Sequence, residues 1–151
     1  MRPEVWAPRA DAVALVTDAG QYPMHPRGGG WFGADVDLAP GRRYAFSLDG
    51  GEPLPDPRAL SLPDGVHGPA AAVDPALLNR RTGWRGRPLR GAALYELHVG
   101  TFTEAGTFDG AAERLDHLVA LGVDAVELMP VAAFPGERGW GYDGVALYAA
   151  H

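Results

Sequence analysis

The stretch LYELHVGTFTEAGTFDGAAERLDHLVALGVDAVELMP, residues 94–130, carries the strongest fold signal in the chain. Residues 94–99 and 123–129 have the apolar pattern of short strands, and Pro130 ends the second one. Between them, apolar side chains recur at the i, i+3, i+4, i+7 spacing of a helix that Thr107 or Asp109 can cap and Gly122 can end. These positions are Phe108, Ala111, Ala112, Leu115, Leu118 and Val119. Strand, helix, strand predicts a βαβ unit, and such units build parallel sheets that are buried on both faces.

The residues before this stretch predict short strands separated by turns. Asp49, Gly50 and Gly51 are a hairpin-type turn signal. In two of the apolar runs, 34–38 and 43–48, the side chains alternate with a period of two, which indicates half-buried strands. All the runs together cover residues 5–7, 13–16, 31–38 and 43–48. We therefore expect a small β-sandwich over residues 1–52.

Residues 53–90 predict an ordered connector rich in proline and arginine. Five prolines between Pro53 and Pro69 block long helices and central strands. The arginine-rich segment 80–90 is expected to be a solvated linker, and Trp84 is a candidate anchor to a neighbouring domain.

Composition excludes several classes of function. The formal net charge of −6 argues against a nucleic-acid partner, because binding to phosphates relies on clustered cations. The absence of cysteine excludes thiol and disulfide chemistry. The five histidines show no paired spacing, so we expect neither a metal nor a cofactor. No apolar run approaches the ~20 residues of a membrane span, so we expect no membrane partner and a cytoplasmic location.

A single βαβ unit cannot bury its own strands. An apolar strand without neighbours is an aggregation hazard, and residues 145–150 are a further apolar run that could open another helix or strand. Either another chain completes the sheet, or residues 91–151 begin a larger parallel structure and the chain is the front end of a longer protein, which is the alternative that we expect.

The stretch GERGWGYDG, residues 136–144, indicates a binding rim. Glycine allows backbone conformations that other residues resist, and an aromatic side chain on such a loop is available for contact. The candidate binding residues are Tyr142, Asp143 and Trp140. Each has a structural alternative: Tyr142 can pack within the loop, Asp143 can form a turn before Gly144, and Trp140 can plug the loop.

Several segments resemble the opening of the catalytic barrel of the α-amylase superfamily. They are YELHVGTFT (95–103), GTF (106–108), LDHL (115–118) and GVDAVELMPV (122–131). Within the superfamily, the chain is similar to the branch that contains glycogen branching and debranching enzymes and trehalohydrolases. The loop GERGWGYDG, with LPDPR (54–58), is most similar to the trehalohydrolases, and VWAP (5–8) resembles the start of their accessory sandwich.

The resemblance implies a multidomain fold of the β plus α/β class. An immunoglobulin-like β-sandwich over residues 1–52 would precede, after the connector 53–90, the first βαβ portion of a truncated (β/α)₈ barrel over residues 91–151. Such barrels place the active site on the loops that follow their strands. By resemblance, Tyr142 would stack near the sugar at the cleavage point, and Asp143 or Trp140 would shape the same pocket. The superfamily takes its reactive carboxylates from later strands, so we expect no catalytic residue in this chain and no hydrolysis by it alone.

The resemblance also implies a reaction. The complete protein would be a glycoside hydrolase that cuts the α-1,4 bond next to the terminal trehalose of malto-oligosyltrehalose, in trehalose biosynthesis. Its pathway partner would be malto-oligosyltrehalose synthase. Three alternatives stay open: a fragment of a branching or debranching enzyme, a non-catalytic α-glucan-binding module, and an incomplete gene product without activity.

The binding-module alternative depends on the aromatic residues of the sandwich. Trp6 and the pair Trp31-Phe32 are candidates for a starch-binding surface, and core packing is the other interpretation of them.

In the second half of the chain, Glu96 and His98 share one face of a strand and would need partners if they are buried. We expect them to be a structural pair, and Glu127 in the next strand invites the same interpretation.

Overall fold

The computed structural model describes residues 1–78, 83 and 85–151, which form two compact units. The first unit contains residues 1–78, 132–137 and 143–151, and the second contains 83, 85–131 and 138–142. Trp84, the predicted anchor, lies outside the described residues. The domain boundaries predicted after residues 52 and 90 stay predictions.

The first unit has two antiparallel sheets around one apolar core. One sheet has the order β1 (Glu4–Trp6), β5 (Trp31–Gly33), β4 (His25–Gly28). The other has the order β3 (Gly20–Pro23), β2 (Val13–Thr17), β6 (Arg43–Leu48), β7 (Ala70–Ala71). Val5 and Phe32 of the first sheet share the core with Leu15 and Phe46 of the second. The β-rich character predicted for the N-terminal residues is confirmed.

Residues 34–38 alternate in burial as predicted, but the predicted strand is wrong. Ala34 and Leu38 are buried, and the aspartates between them are exposed. The Ala34 N–H donates to the Pro3 carbonyl, and the Leu38 N–H donates to the Met1 carbonyl. Ala34 and Leu38 are four residues apart, but their partners Pro3 and Met1 are only two apart, so these bonds do not extend into a regular ladder.

The turn predicted after β6 is confirmed. Asp49 and Gly50 have φ angles of 52° and 75°, and the chain returns to pair Leu54 with Phe46. The Asp49 side chain also accepts the backbone N–H of Ala12 at 2.8 Å. The turn is thereby tied to the start of β2.

The second unit contains the predicted βαβ arrangement. Strands β8 (Leu94–Leu97) and β9 (Ala125–Leu128) are parallel and in register, with Leu94 opposite Ala125. Three short helices connect them: α2 (Val99–Phe102), α3 (Phe108–Ala112) and α4 (Leu115–Ala120).

The single helix predicted between the two strands is wrong, because it is divided into α3 and α4. At the division, Arg114 leaves the helical region (φ −102°, ψ 3°), and its N–H bonds to the Ala111 carbonyl in a tighter i→i+3 turn. The predicted ends are confirmed. The Thr107 side chain accepts the Gly110 N–H, and Gly122 follows α4 with a φ of +80°.

Apolar side chains of the second unit remain exposed. Within the part of the chain that the structure describes, β8 and β9 pair only with each other. Leu94, Tyr95 and Leu128 on these strands are exposed, as are Val119 and Leu121 at the end of α4. A sheet of two parallel strands leaves this surface uncovered, as the sequence predicts.

The remaining elements belong to the first unit. Strands β10 (Ala132–Ala133) and β11 (Ala146–Ala150) are antiparallel, and three of their alanines pack with Val66 in a second small core. Helix α1 (Pro75–Leu78) is a single turn in the predicted connector. None of the helices in the described ranges has the length and apolar character needed to cross a bilayer.

Candidate functional site

The loop GERGWGYDG lies between β10 and β11, in the segment that follows β9, and carries all three candidate binding residues. Gly139 to Tyr142 lie in the second unit, and Asp143 opens the last segment of the first unit. Trp140 and Tyr142 are therefore brought together on one short loop. Asp143 is exposed.

Gly141 determines the backbone of this loop. It is buried, and its φ of +86° lies in the left-handed region that L side chains rarely adopt. A Cβ atom at this position would overlap the carbonyl oxygen of Pro130, the residue that ends the predicted second strand. The close approach of the two backbones requires glycine here.

The aromatic side chains on either side of Gly141 face outward. Trp140 is 74% exposed and Tyr142 is 67% exposed. Large aromatic residues are usually buried, and when exposed together they favour contact with a ligand. Their exposure fits a binding rim, and the role of the two residues stays a prediction.

His98 also anchors the loop. It follows β8, and its Nε2 lies 2.8 Å from the Gly139 carbonyl oxygen. A carbonyl oxygen only accepts hydrogen bonds, so Nε2 must carry the proton and donate. Among the described residues, the buried His98 Nδ1 and Thr103 Oγ1 have no hydrogen-bond partner.

The structural pair predicted for Glu96 and His98 is wrong. Glu96 is exposed, as is Glu127, which lies opposite it across the two parallel strands. The partner of His98 is instead a backbone carbonyl 41 residues away in sequence. A glycine-rich loop gives no side-chain signal for such a contact, so the sequence pattern did not reveal it.

Asp124 connects the segment before β8 to the start of β9. Its carboxylate accepts the Ala93 N–H at 2.9 Å and an Arg87 N–H at 2.6 Å. The backbone hydrogen bond and then the arginine hold the pKa of Asp124 below its ordinary value. This contact lies at the ends of the strands opposite to the loop.

Asp56 of the motif LPDPR forms a buried polar pair with Tyr44 of β6. The Tyr44 hydroxyl donates to the Asp56 carboxylate at 2.6 Å, and the Arg58 N–H donates to its other oxygen at 2.8 Å. Burial, followed by the hydrogen bond and the charge of Asp56, raises the pKa of Tyr44 well above its ordinary value. The motif therefore has a structural role in the core of the first unit.

Among the aromatic residues of the sheets, one packs in the core and another is exposed as a sugar-binding surface would require. Phe32 is buried in the core, as the packing interpretation predicts. Trp6 is 57% exposed and lines a groove with Pro8, Leu54 and Pro57. The Arg58 guanidinium lies 5.2 Å from the centre of the Trp31 ring.

In the described ranges, no three His, Cys, Asp or Glu side chains are grouped as a metal site would require.

Comparisons with known proteins give the class of this chain. No family profile matches it. A crystal structure of a candidate α-amylase from Salmonella typhimurium superposes with a TM-score of 0.92 and 45% identity, over 99% of this chain and 26% of that one. A pullulanase from Anoxybacillus sp. LM18-11, complexed with maltotetraose, superposes with a TM-score of 0.78 and 25% identity, over 99% of this chain and 27% of that one. The chain is thus related to enzymes of the α-amylase type.

Curated relatives give the particular group. Malto-oligosyltrehalose trehalohydrolases from Arthrobacter ramosus and Mycobacterium tuberculosis are 51% and 47% identical over 97% of this chain. A 1,4-α-glucan branching enzyme from Xanthomonas axonopodis pv. citri is 36% identical over 96% of it. The predicted resemblance is confirmed: the chain is homologous to malto-oligosyltrehalose trehalohydrolases, which are glycoside hydrolases. It spans about a quarter of their length, 26–27% in these two.

Proposed function

We propose that this chain is the N-terminal part of a glycoside hydrolase that releases trehalose from malto-oligosyltrehalose. The enzyme would cleave the α-1,4-glucosidic bond next to the terminal trehalose. Homology along nearly the whole chain to proteins named for this reaction carries the proposal. The maltotetraose bound by the related pullulanase supports an α-glucan as the class of substrate. The pathway partner would be malto-oligosyltrehalose synthase.

In this proposal, residues 91–151 begin a (β/α)₈ barrel. Such a barrel takes about 250 residues and eight parallel strands, of which β8 and β9 would be the first two. The outer helices and the packed interior of the closed barrel would cover the exposed side chains of Leu94, Tyr95 and Leu128. Residues 1–52 would be the accessory immunoglobulin-like sandwich, and residues 53–90 the connector.

The chemistry would come from outside this chain. A retaining glycoside hydrolase needs two carboxyl groups about 5–5.5 Å apart across the scissile bond. By family resemblance, these lie on later barrel strands, so we assign no catalytic residue to the 151 residues.

Trehalose release from malto-oligosyltrehalose tests this assignment. We expect release by the full-length hydrolase and none by residues 1–151 alone. Turnover by residues 1–151 would contradict the placement of the catalytic groups. No release by the full-length protein would contradict the proposed reaction.

The loop after β9 would bind the sugar through Tyr142, Trp140 and Asp143. Barrel enzymes bind substrate on the loops at the C-terminal ends of their strands. The exposed Trp140 and Tyr142 rings offer apolar faces to the C–H groups of a sugar, and Tyr142 adds a hydroxyl. Asp143 would add a hydrogen-bond acceptor to the same rim.

Substitutions in the full-length hydrolase test the sugar contact. Tyr142→Ala removes the ring, and we expect a fall in kcat/KM of about tenfold, in line with about 1.5 kcal/mol for an aromatic contact. Tyr142→Phe separates the hydroxyl from the ring. Glu137→Ala, at an exposed position of the same stretch, is the control and should leave kcat/KM unchanged. Equal values for Tyr142→Ala and the control would contradict the sugar contact.

Two observations favour other functions. The homology to a branching enzyme and the likeness to a pullulanase favour a branching or debranching enzyme. Product analysis separates these activities, because new or cleaved α-1,6 bonds would replace free trehalose as the product.

The exposed Trp6 in its groove favours a glucan-binding module. Affinity electrophoresis in gels that contain soluble starch tests for such a module. Retardation of the wild type that Trp6→Ala abolishes would support it, with Trp31→Ala as the comparison. Unretarded migration of the wild type would contradict it.

A further inference from the structure

The loop of Trp140 and Tyr142 is held at two alternate residues. The Gly139 carbonyl bonds to His98 after β8, and Gly141 lies against the Pro130 carbonyl after β9. The exposed Trp140 stands between the two anchors, and the exposed Tyr142 follows the second. Both anchors act on the backbone and leave the aromatic rings free.

The two anchors differ in chemistry. The contact at Gly141 is steric and depends on the absence of a side chain. The contact at Gly139 is a single directional hydrogen bond from a side chain, so its geometry depends on which nitrogen of His98 carries the proton. His98 Nδ1 is buried without a partner among the described residues. The tautomer with hydrogen on Nε2 alone therefore satisfies the carbonyl and buries no unpaired N–H.

We propose that His98 is a positioning residue that acts through its Nε2–H tautomer. By holding Gly139, it keeps Trp140 and Tyr142 in the arrangement that receives the sugar. The role in substrate binding rests on the proposed function, whereas the tautomer and the order of the loop do not.

Residues 1–151 in solution give a test that needs no substrate. Long-range ¹H–¹⁵N spectra of the His98 ring report its tautomer in the wild type. We expect a slowly exchanging proton on Nε2 and an unprotonated Nδ1. A proton on Nδ1 alone would overturn the proposal without any variant.

Matched variants test the order of the loop. In His98→Gln, the side-chain amide nitrogen occupies nearly the position of Nε2 and can still donate to Gly139. In His98→Asn, the amide is too short to reach. With 5-fluorotryptophan, we expect the ¹⁹F line of Trp140, assigned by its loss in Trp140→Phe, to move in His98→Asn and to stay in His98→Gln.

Dispersed amide signals from β8 and β9 check that each variant is folded. A Trp140 line that stays in folded His98→Asn, or that moves equally in both variants, would overturn the proposal. If neither variant folds, the tautomer in the wild type decides.

Kinetics of the full-length hydrolase on malto-oligosyltrehalose test the consequence for substrate. A neutral hydrogen bond of this kind contributes about 0.5–1.5 kcal/mol, so we expect KM to rise about twofold to tenfold in His98→Asn and to recover in His98→Gln. An unchanged KM in His98→Asn beside a moved Trp140 line would overturn the positioning role. If the wild type releases no trehalose, the proposed function fails, and the ring and ¹⁹F spectra still decide whether His98 orders the loop.

Discussion

Removing the Tyr44 hydroxyl should destabilise the first unit by more than a typical surface substitution. Tyr44 is 2% exposed and Asp56 is 6% exposed, so water has little access to replace the lost hydrogen bond. One oxygen of Asp56 accepts the Arg58 N–H, and the other accepts the Tyr44 hydroxyl. In Tyr44→Phe, the second oxygen is left buried without that donor. Hydrogen bonds to charged groups contribute about 1.5–3 kcal/mol, which is the expected loss in the free energy of unfolding.

The substitution isolates the hydroxyl because the ring is retained. Tyr44 and Phe46 pack edge to face with their centres 5.7 Å apart, and a phenylalanine preserves this contact. Urea unfolding of residues 1–151, followed by far-UV circular dichroism, gives the free energy. Tyr22→Phe is the matched control, since Tyr22 lies on β3 of the same sheet and is only partly buried.

A double-mutant cycle with Asp56→Asn completes the test. If the two groups act together, the effect of Tyr44→Phe should shrink when Asp56 is already changed. A loss below about 0.5 kcal/mol, the range of ordinary surface substitutions, would refute the reasoning.

Three further outcomes follow from the same structure. The raised pKa of Tyr44 means that the unfolded chain loses the hydroxyl proton at a lower pH than the folded chain does. The free energy of unfolding should therefore fall above about pH 10, by up to about 1.4 kcal/mol per pH unit. Urea unfolding of Tyr44→Phe should show a shallower fall. The lowered pKa of Asp124 gives the opposite sign: its contribution to the free energy of unfolding is present above the ordinary pKa of 3.8 and is lost as the pH falls through the pKa of the folded state. Acid unfolding of Asp124→Asn should show less of this loss. The same dependence on acid pH in Asp124→Asn and the wild type would contradict the prediction. Gly141→Ala should speed tryptic cleavage after Arg138 more than Gly136→Ala does. Both glycines have positive φ, but only Gly141 lies against another part of the backbone, the Pro130 carbonyl. Equal cleavage rates in the two variants would refute the anchor at Gly141.

Local patterns predicted the elements that residue type and periodicity mark. The parallel strands, the Thr107 cap and the end at Gly122 follow from periodicity and residue type, and all three are confirmed. The burial of Ala34 and Leu38 was also predictable from alternation. Whether a ladder forms there depended on the register against residues 1–3, which belong to a distant segment.

The candidate site shows the same division. Glycines around two aromatic residues indicated a loop that presents Trp140 and Tyr142, and both side chains are exposed. The anchors of that loop, the Gly139 carbonyl on His98 and Gly141 against Pro130, were not predictable. Each anchor involves a backbone carbonyl, which carries no residue-specific pattern.

The sequence by itself determined the two parallel strands, the start and the end of the helical segment between them, the apolar faces and the family resemblance. These depend on residue type and spacing, which are local quantities. Tertiary structure alone decided which polar groups are satisfied: Tyr44 with Asp56, and His98 with Gly139. A hydrogen bond needs two groups within about 3 Å at a defined angle, and only the folded chain brings together groups that are distant in sequence.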